Sequence, residues 1–587
     1  MNRPRRRRSR GTGLQILVII ILTLIAAALA ILAFSGDSEN NGTQKTPGPG
    51  STGGLIITSS PAPLPTPEPT PTPLPEFVPA AVTGTYPDEF GIESGIMVDG
   101  VEFDSYQRSA SIDFSEGADY TELEGIITFR GNNFRDGASY GAASVKSKKF
   151  NTEPWEFETG SLKKMYGEGS WTGSGWTGQP LLVKWPEQTK RIMNMYDSAK
   201  QKKDLVEAIY ATMDGNIYFL DIETGEKTRD SIKTGFPFKG AGALDPRGIP
   251  MLYLGSGDDS PLDGGKGARA FIYSLVTGEK LLEFGAEDPF AWRGFHAYDS
   301  SPLVDAETDT LVYPGENGIL YTMKLNTQYD ENAGILSISP SEQIKWRYRG
   351  ARSGDKYWLG IEDSAVIWRS HAIFSDNGGH LMCLDLNRYK VEWVQNVLDD
   401  TNCTPVFELE DGHPYVYTST SFHAGWRAEE GEKAVIPVWK IDAVTGEIVW
   451  KTEYMCGTVK DVSGGVQGTL AVGKNKLSDL IFVPVSRNPS TSSGKLVALD
   501  KNTGSERWVF EMEKYPWSSP VAVYDEDGNG YIIQCNQAGN MYLLDGLTGE
   551  LLDTLNLGAN IEASPAVYGN TIVVGTRGNR IFGVTLE

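Results

Sequence analysis

Residues 494–513 read GKLVALDKNTGSERWVFEME, with apolar side chains on alternate positions to either side of an Asp-x-x-Thr-Gly interruption. A period of two marks a strand whose two faces are buried differently. Asp, Thr and Gly together mark a tight turn, so the stretch predicts a hairpin with its tryptophan on the second strand. The skeleton returns, weakened, at GNIYFLDIETGEK, ARAFIYSLVTGEK, GILYTMKLNT, GHLMCLDLNRYKVEW, VPVWKIDAVTGEIVW, GNMYLLDGLTGELLD and the terminal GNRIFGVTLE. The units follow one another at roughly 40 to 60 residues, the period of a β-propeller blade of four short strands.

A second element precedes most of these hairpins: GQPLLV, SSPLVD, DSAVIW, CTPVFE, SSPVAV and ASPAVY. It predicts the innermost strand of each blade. The last unit, IEASPAVYGNTIVVGTRGNRIFGVTLE, supplies three strands only, while KKFNTEPWEFETG at residues 148–160 holds an unassigned tryptophan-bearing strand. Pairing the two would close the ring and remove its open sheet edges. The expected fold class is all-β: an eight-bladed β-propeller of four-stranded antiparallel blades, seven whole and one split. Seven blades is the fallback.

The repeats leave the first part of the chain unexplained. MNRPRRRRSRGTG holds six arginines and no acid, and LQILVIIILTLIAAALAILAF at 14–34 is apolar but for Gln15 and Thr23, about the length that spans a bilayer. Arginine on its N-terminal flank predicts that this end stays inside and the rest is exported. Ala28-Leu29-Ala30 offers the rival reading of a cleaved signal peptide, whose apolar core is normally only about 7 to 15 residues. SGDSENNGTQKTPGPGSTGG and PAPLPTPEPTPTPLPEF follow, a composition that favours an extended stalk rising about 3.1 Å per residue.

The organisation expected is a basic cytoplasmic segment 1–13, a transmembrane helix 14–34, a stalk 35–85, a short pre-propeller segment 86–119 and the propeller 120–587. That reading places the protein in the cell membrane, single-pass, touching the lipid bilayer through its N-terminal helix, with the C-terminal domain extracytoplasmic. The chain carries 76 acidic against 53 basic residues, a net −23, which argues against nucleic acid as a partner. Four cysteines (Cys383, Cys403, Cys456 and Cys535) in so long an exported chain are no disulfide framework and predict free buried thiols.

The skeleton Gly-x-hydrophobic-Tyr/Val-x-Leu-Asp-x-x-Thr-Gly-x-x-x-Trp resembles the pyrroloquinoline-quinone (PQQ) type repeat, shared by quinoprotein alcohol dehydrogenases and by non-enzymatic BamB-like propellers. ITFRGNNFRDGASYG, residues 127–141, is similar to the Phe-Arg-Gly-Asn lead-in of many such propellers. The likeness spans about residues 120–587. For the dehydrogenases it implies a quinone over calcium held by Glu, Asn and Asp, often with a disulfide between adjacent cysteines. No Cys-Cys pair occurs here, no calcium-ligand motif can be matched, and no haem-attachment Cys-x-x-Cys-His is present. No cofactor or metal is therefore expected.

Other catalytic templates fare no better. His296, His371, His380, His413 and His423 lie in separate repeats without zinc-protease spacing. GSGDDSPLDGG has loop character, and carboxylate pairs in so acidic a chain identify no glycosidase. YDEDGNGY at 524–531 offers oxygen ligands at every second position, but its flanks are strands, so a hairpin turn is expected and not a calcium loop.

Geometry gives the better lead. In a propeller the connections from each outer strand to the next inner strand emerge on one face around the channel, so their residues converge. These connections contribute Trp176, Arg293, His296, Asp299, Trp358, Glu362, Trp517 and Glu562 as candidate ligand-binding residues, with Trp171, Trp292 and Asp363 nearby. Aromatic faces beside polar groups suit carbohydrate or peptide recognition, whereas tryptophans wedged between blades would be purely structural. The function expected is a non-catalytic binding or scaffold module for protein or cell-envelope polymer partners at the channel face. The alternatives are a PQQ-dependent dehydrogenase or carbohydrate-active enzyme, and a sensor, for which a thirteen-residue cytoplasmic segment is short.

Overall fold

The structure, a computed structural model, describes residues 77–175, 178–353, 359–423, 433–459 and 462–587. The apolar run 14–34 and the stalk sequence before residue 77 lie outside them, and among the described residues no helix is long and apolar enough to cross a membrane. Eight antiparallel sheets form the ring. Blades 1 to 7 span 181–233, 243–284, 303–349, 366–396, 406–457, 471–512 and 521–556. Blade 8 takes three strands from 566–585 and its outer strand from Trp155–Glu158, which pairs with Arg580–Thr585 through Ile581 opposite Phe157. The strands of each blade are called A to D from the channel outward.

The repeated skeleton proves to be a lock between neighbouring blades. In blade 6 the Asp500 carboxylate accepts the amides of Asn502 and Thr503 at 3.0 and 2.9 Å, and Gly504, at φ 69°, donates back to the Asp500 carbonyl at 2.8 Å. Blades 1, 5 and 7 repeat this turn at Asp221, Asp442 and Asp545. The turn glycine is required twice over, because its left-handed backbone disfavours a side chain and because a tryptophan from the preceding blade lies on it. A Cβ on Gly446 would stand 2.7 Å from the Trp393 ring, and one on Gly504 2.6 Å from Trp450. The indole N–H then donates to the turn, Trp393 to Ala443, Trp450 to Lys501, Trp508 to Gly546 and, across the split, Trp155 to Ile222, all at 2.7 to 3.0 Å.

The Ser/Thr before the inner strands of blades 3 to 8 makes a second lock. Ser301 N–H donates to the Ser364 hydroxyl, Ser364 to Thr404, Thr404 to Thr469, Thr469 to Ser519 and Ser519 to Ser564, at 2.8 to 3.2 Å. This belt joins blades 3 to 8 around the channel.

The channel itself is filled by the lead-in. Residues 124–141 bond to the inner side of all eight blades: Glu124–Ile126 pairs with strand A of blade 1, the carbonyls of Ile127, Asn133, Phe134 and Ala138 receive Leu244, Ile367, Phe407 and Val567 N–H, and two arginines reach the remainder. Arg130 donates to the Pro520 and Leu470 carbonyls, and Arg135 to those of Ala365, Ser301 and Phe129. Both are fully buried, and desolvation pulls their pKa values down, to about 10 and about 9.

Upstream, Phe77 is buried against Trp368 and Phe407, and Thr85 bonds to Thr445, so residues 77–85 of the Pro/Thr-rich stretch rest on blades 4 and 5. Glu93–Val98 and Val101–Phe103 add two strands to the outer edge of blade 3. YDEDGNGY is the hairpin turn expected, with the Asp525 carboxylate accepting the amides of Asp527 and Asn529. All four cysteines are buried thiols outside any disulfide.

Candidate functional site

D-to-A connections and B-to-C turns rise on the same face, and over blades 2 to 5 they bring together Asp299, Glu316 and Glu362, one oxygen of each lying within 4.8 Å of the other two. Arg293 spans the group. Its Nη1 donates to the carbonyls of Glu316 and Leu359 and to Asn377 Oδ1, at 2.9 to 3.0 Å, and lies 3.4 Å from the Glu316 carboxylate. Asn377 donates to Glu362 at 3.0 Å and to Asp400 at 2.6 Å. Lys239 adds positive charge beside Asp299.

So many acids packed out of water cannot all ionise cheaply. Burial raises the pKa of Asp299, pushes Glu316 up to about 7 against the pull of Arg293, and holds Glu362 well above the usual carboxylate range with help from Glu316 and Asp400. Asp363 is raised by burial too, although its carboxylate accepts the Ser375 amide at 2.9 Å.

A pH dependence follows from Glu316. Free glutamate titrates near 4.5 and the folded group near 7, so the native state keeps a proton that the unfolded chain releases. Its stabilising share is complete below about pH 4.5 and is lost as pH rises through about 7. Glu316→Gln is expected to match wild type near pH 4.5 and to exceed it by about 2 kcal/mol at pH 8 in urea unfolding. Parallel pH profiles for the two proteins would show that Glu316 titrates normally.

The expected site residues divide. Arg293, Asp299 and Glu362 lie together at the mouth. His296, three residues before Asp299, points elsewhere, into a rim cavity between blades 2 and 3. Glu562 lies across the mouth, bonded by Asn560 at 2.7 Å and 3.8 Å from Arg577. Trp517 is buried beside Tyr515, the placement of a packing residue. Trp176 and Trp358 lie outside the described residues. Trp171 carries Lys164 and Lys239 over its ring, whereas Trp292 lies under Arg347 and Arg349 of outer strand D. Glu316, Asn377, Lys239 and Asp400 were not anticipated. Glu316 and Asn377 sit in the turns PGENG and SDNGG that precede strand C, and the recurrence of such turns before strand C was the signal available.

Carboxylate oxygens suit a hard cation, for which Lys239 and Arg293 compete. The quinone implied by the sequence resemblance is another matter. Asp299, Glu362 and Asp363 border a cavity of about 10 Å³ walled by Phe129 of the channel segment, room for roughly one water. The described residues therefore do not fit a tricyclic cofactor. A second cluster, His371, Asp385 and Glu392, lies at the opposite end of blade 4, where Arg388 and Lys390 already pair with the carboxylates.

The fold and mouth define an eight-bladed propeller with a filled channel. Residues 360–509 and 492–587 match the family model described as outer membrane protein assembly factor BamB, so the resemblance to PQQ-type propellers holds over blades 4 to 8. Among solved structures, BamB from Moraxella catarrhalis is similar at 15% identity over 69% of this chain and 97% of its own, with a TM-score of 0.43. A europium-containing methanol dehydrogenase gives 13%, 79%, 98% and 0.40. Quinohemoprotein alcohol dehydrogenase from Comamonas testosteroni gives 13%, 79%, 80% and 0.39. Similarity of this order says nothing about site chemistry. Comparison with curated proteins finds no match.

Proposed function

We propose that this chain is a membrane-anchored, extracytoplasmic propeller that binds a protein or cell-envelope polymer across its channel-mouth face without catalysing a reaction. The observation that carries the reading is the filled channel. Residues 124–141 tie all eight blades together, and Arg293, Glu316, Asn377, Glu362 and Asp400 are bonded to one another at the mouth beside a cavity no larger than a water, an arrangement suited to a rigid platform. The BamB match over residues 360–587 agrees with a protein partner. The arginine-flanked apolar run 14–34 and the Pro/Thr-rich stretch after it support an anchor with the propeller held outside.

Crosslinking from the mouth tests this. A photo-crosslinker at Gln537, on the mouth face of blade 7 beside Glu562, introduced into the full chain in its own membrane, is expected to capture a discrete partner or wall fragment, whereas one at Glu511 on an outer strand is not. Appearance of dye-linked alcohol oxidation on adding PQQ and calcium, with no capture, would replace the reading with the quinoprotein one.

A further inference from the structure

The channel-mouth face carries a second cavity, on its rim between blades 2 and 3. Three pieces distant in sequence build it. A hairpin of Ser161–Lys163 and Ser170–Thr172 holds Tyr166 at its tip, the long B-to-C connection of blade 2 gives Asp258 and Asp259, and the connection to blade 3 gives Glu287, Phe295 and His296. Its volume is about 360 Å³, within the range of small-molecule sites. Two aromatic rings stand exposed at its edge, Tyr166 at 64% and Phe295 at 42%, where a bound group could reach their faces.

The charge in the cavity has one sign. Three carboxylates line it and no lysine or arginine does. The Arg293 guanidinium, whose Nη1 donates to Glu316, Leu359 and Asn377, has its carbon 4.8 Å from the Phe295 ring centroid, so one face of that ring already carries a cation and only the other is open to a ligand. Asp259 is held by the Ala268 amide at 2.8 Å. His296 Nδ1 is buried and has no hydrogen-bond partner, and burial lowers the pKa of this imidazole, so the ring stays neutral and keeps an acceptor. The three carboxylates do not converge as the Asp299 group does, which disfavours a small metal ion that must touch all of them. A neutral sugar would leave the charge unanswered.

We propose that this cavity binds an organic cation, an ammonium or guanidinium head group seated against Tyr166 and Phe295 and countered by Asp258, Asp259 and Glu287. Aromatic faces attract such groups through their quadrupole, most strongly where water is displaced. The chemistry stands independently of the proposed binding role of the face, which bears only on whether the cation is a free amine or a basic side chain of a docked partner.

The test is calorimetric titration of the full chain in detergent with cadaverine, with a lysine-containing peptide, with the same peptide carrying norleucine, and with calcium chloride. At least one of cadaverine and the lysine peptide is expected to bind, and the norleucine peptide is not. Tyr166→Ala and Glu287→Gln, both at exposed side chains, should each weaken binding about tenfold. Binding of cadaverine assigns the free amine, and of the lysine peptide alone the basic side chain. Affinity unchanged by both substitutions, equal binding of the norleucine peptide, or calcium displacing the amine at equal concentration would overturn the proposal. Amine binding without any partner captured at the mouth would sink the platform reading and leave this site standing.

Discussion

Deleting residues 148–160 is expected to abolish cooperative unfolding, because the deletion takes the outer strand from blade 8 and the Trp155 lock from blade 1 together. The four-residue pairing with Arg580–Gly583, continued by the Phe150–Leu586 bridge and the Asn151 amide donating to the Thr585 carbonyl, closes that edge of the sheet, and the indole of Trp155 packs on Gly225 while donating to the Ile222 carbonyl at 2.7 Å. The single substitution Trp155→Ala should then cost about 3 kcal/mol in denaturant unfolding, as for a large aromatic removed from a packed contact. Glu156→Ala in the same strand should cost less than about 1 kcal/mol, since its pairing with Arg580 is half exposed. Equal costs for the two would mean that the ring is fastened elsewhere.

Arg135→Met is expected to be more damaging than its conservative appearance suggests. The guanidinium satisfies carbonyls of blades 3 and 4 and groups of its own segment. Methionine fills much of the volume but leaves those acceptors buried and unbonded, at about 1 to 3 kcal/mol each, so a total loss on the order of 4 kcal/mol follows. Arg135→Lys should recover little, because an ammonium cannot reproduce the planar fork. The same denaturant titration decides the matter: a lysine variant within about 1 kcal/mol of wild type would show that charge alone holds the channel segment in place.

The blade hairpins were readable in the sequence because one geometry demands several residue types at once: Asp to accept two amides, Gly for a left-handed backbone under an indole, Trp to supply that indole. Ring closure was readable from the three-stranded last unit and the orphan strand at 148–160. Strand A of blades 2 and 6 was harder, as each is two residues long, Ala243–Leu244 and Ala471–Val472, without the Ser-Pro signature. The site was half legible. Convergence of the connections brings Asp299, Arg293 and Glu362 together whatever their side chains do. Which way His296 and Asp299 point within one connection depends on a turn between them that no periodicity records. Glu316 and Asn377 read simply as turn residues, since a B-to-C turn looks the same whether or not its side chain reaches a neighbouring blade. The arginines of the lead-in resembled a known segment, but their bonding to distant carbonyls is visible only in three dimensions.

The splitting of blade 8 also fixes an order of events. Residues 138–158 leave the ribosome hundreds of residues before their partners at 566–585, so some of the earliest propeller sequence must wait, unsatisfied, for the latest. Contacts of such separation are slow to form and leave strand edges open meanwhile. Blades 1 to 7 are each local and can assemble around the lead-in as they emerge, but the arc they form has no fastening until the C-terminal strands arrive. A chain cut short by even its last ten residues would thus be a stranded intermediate and not a smaller propeller, one whose exposed edges invite capture by chaperones or proteases.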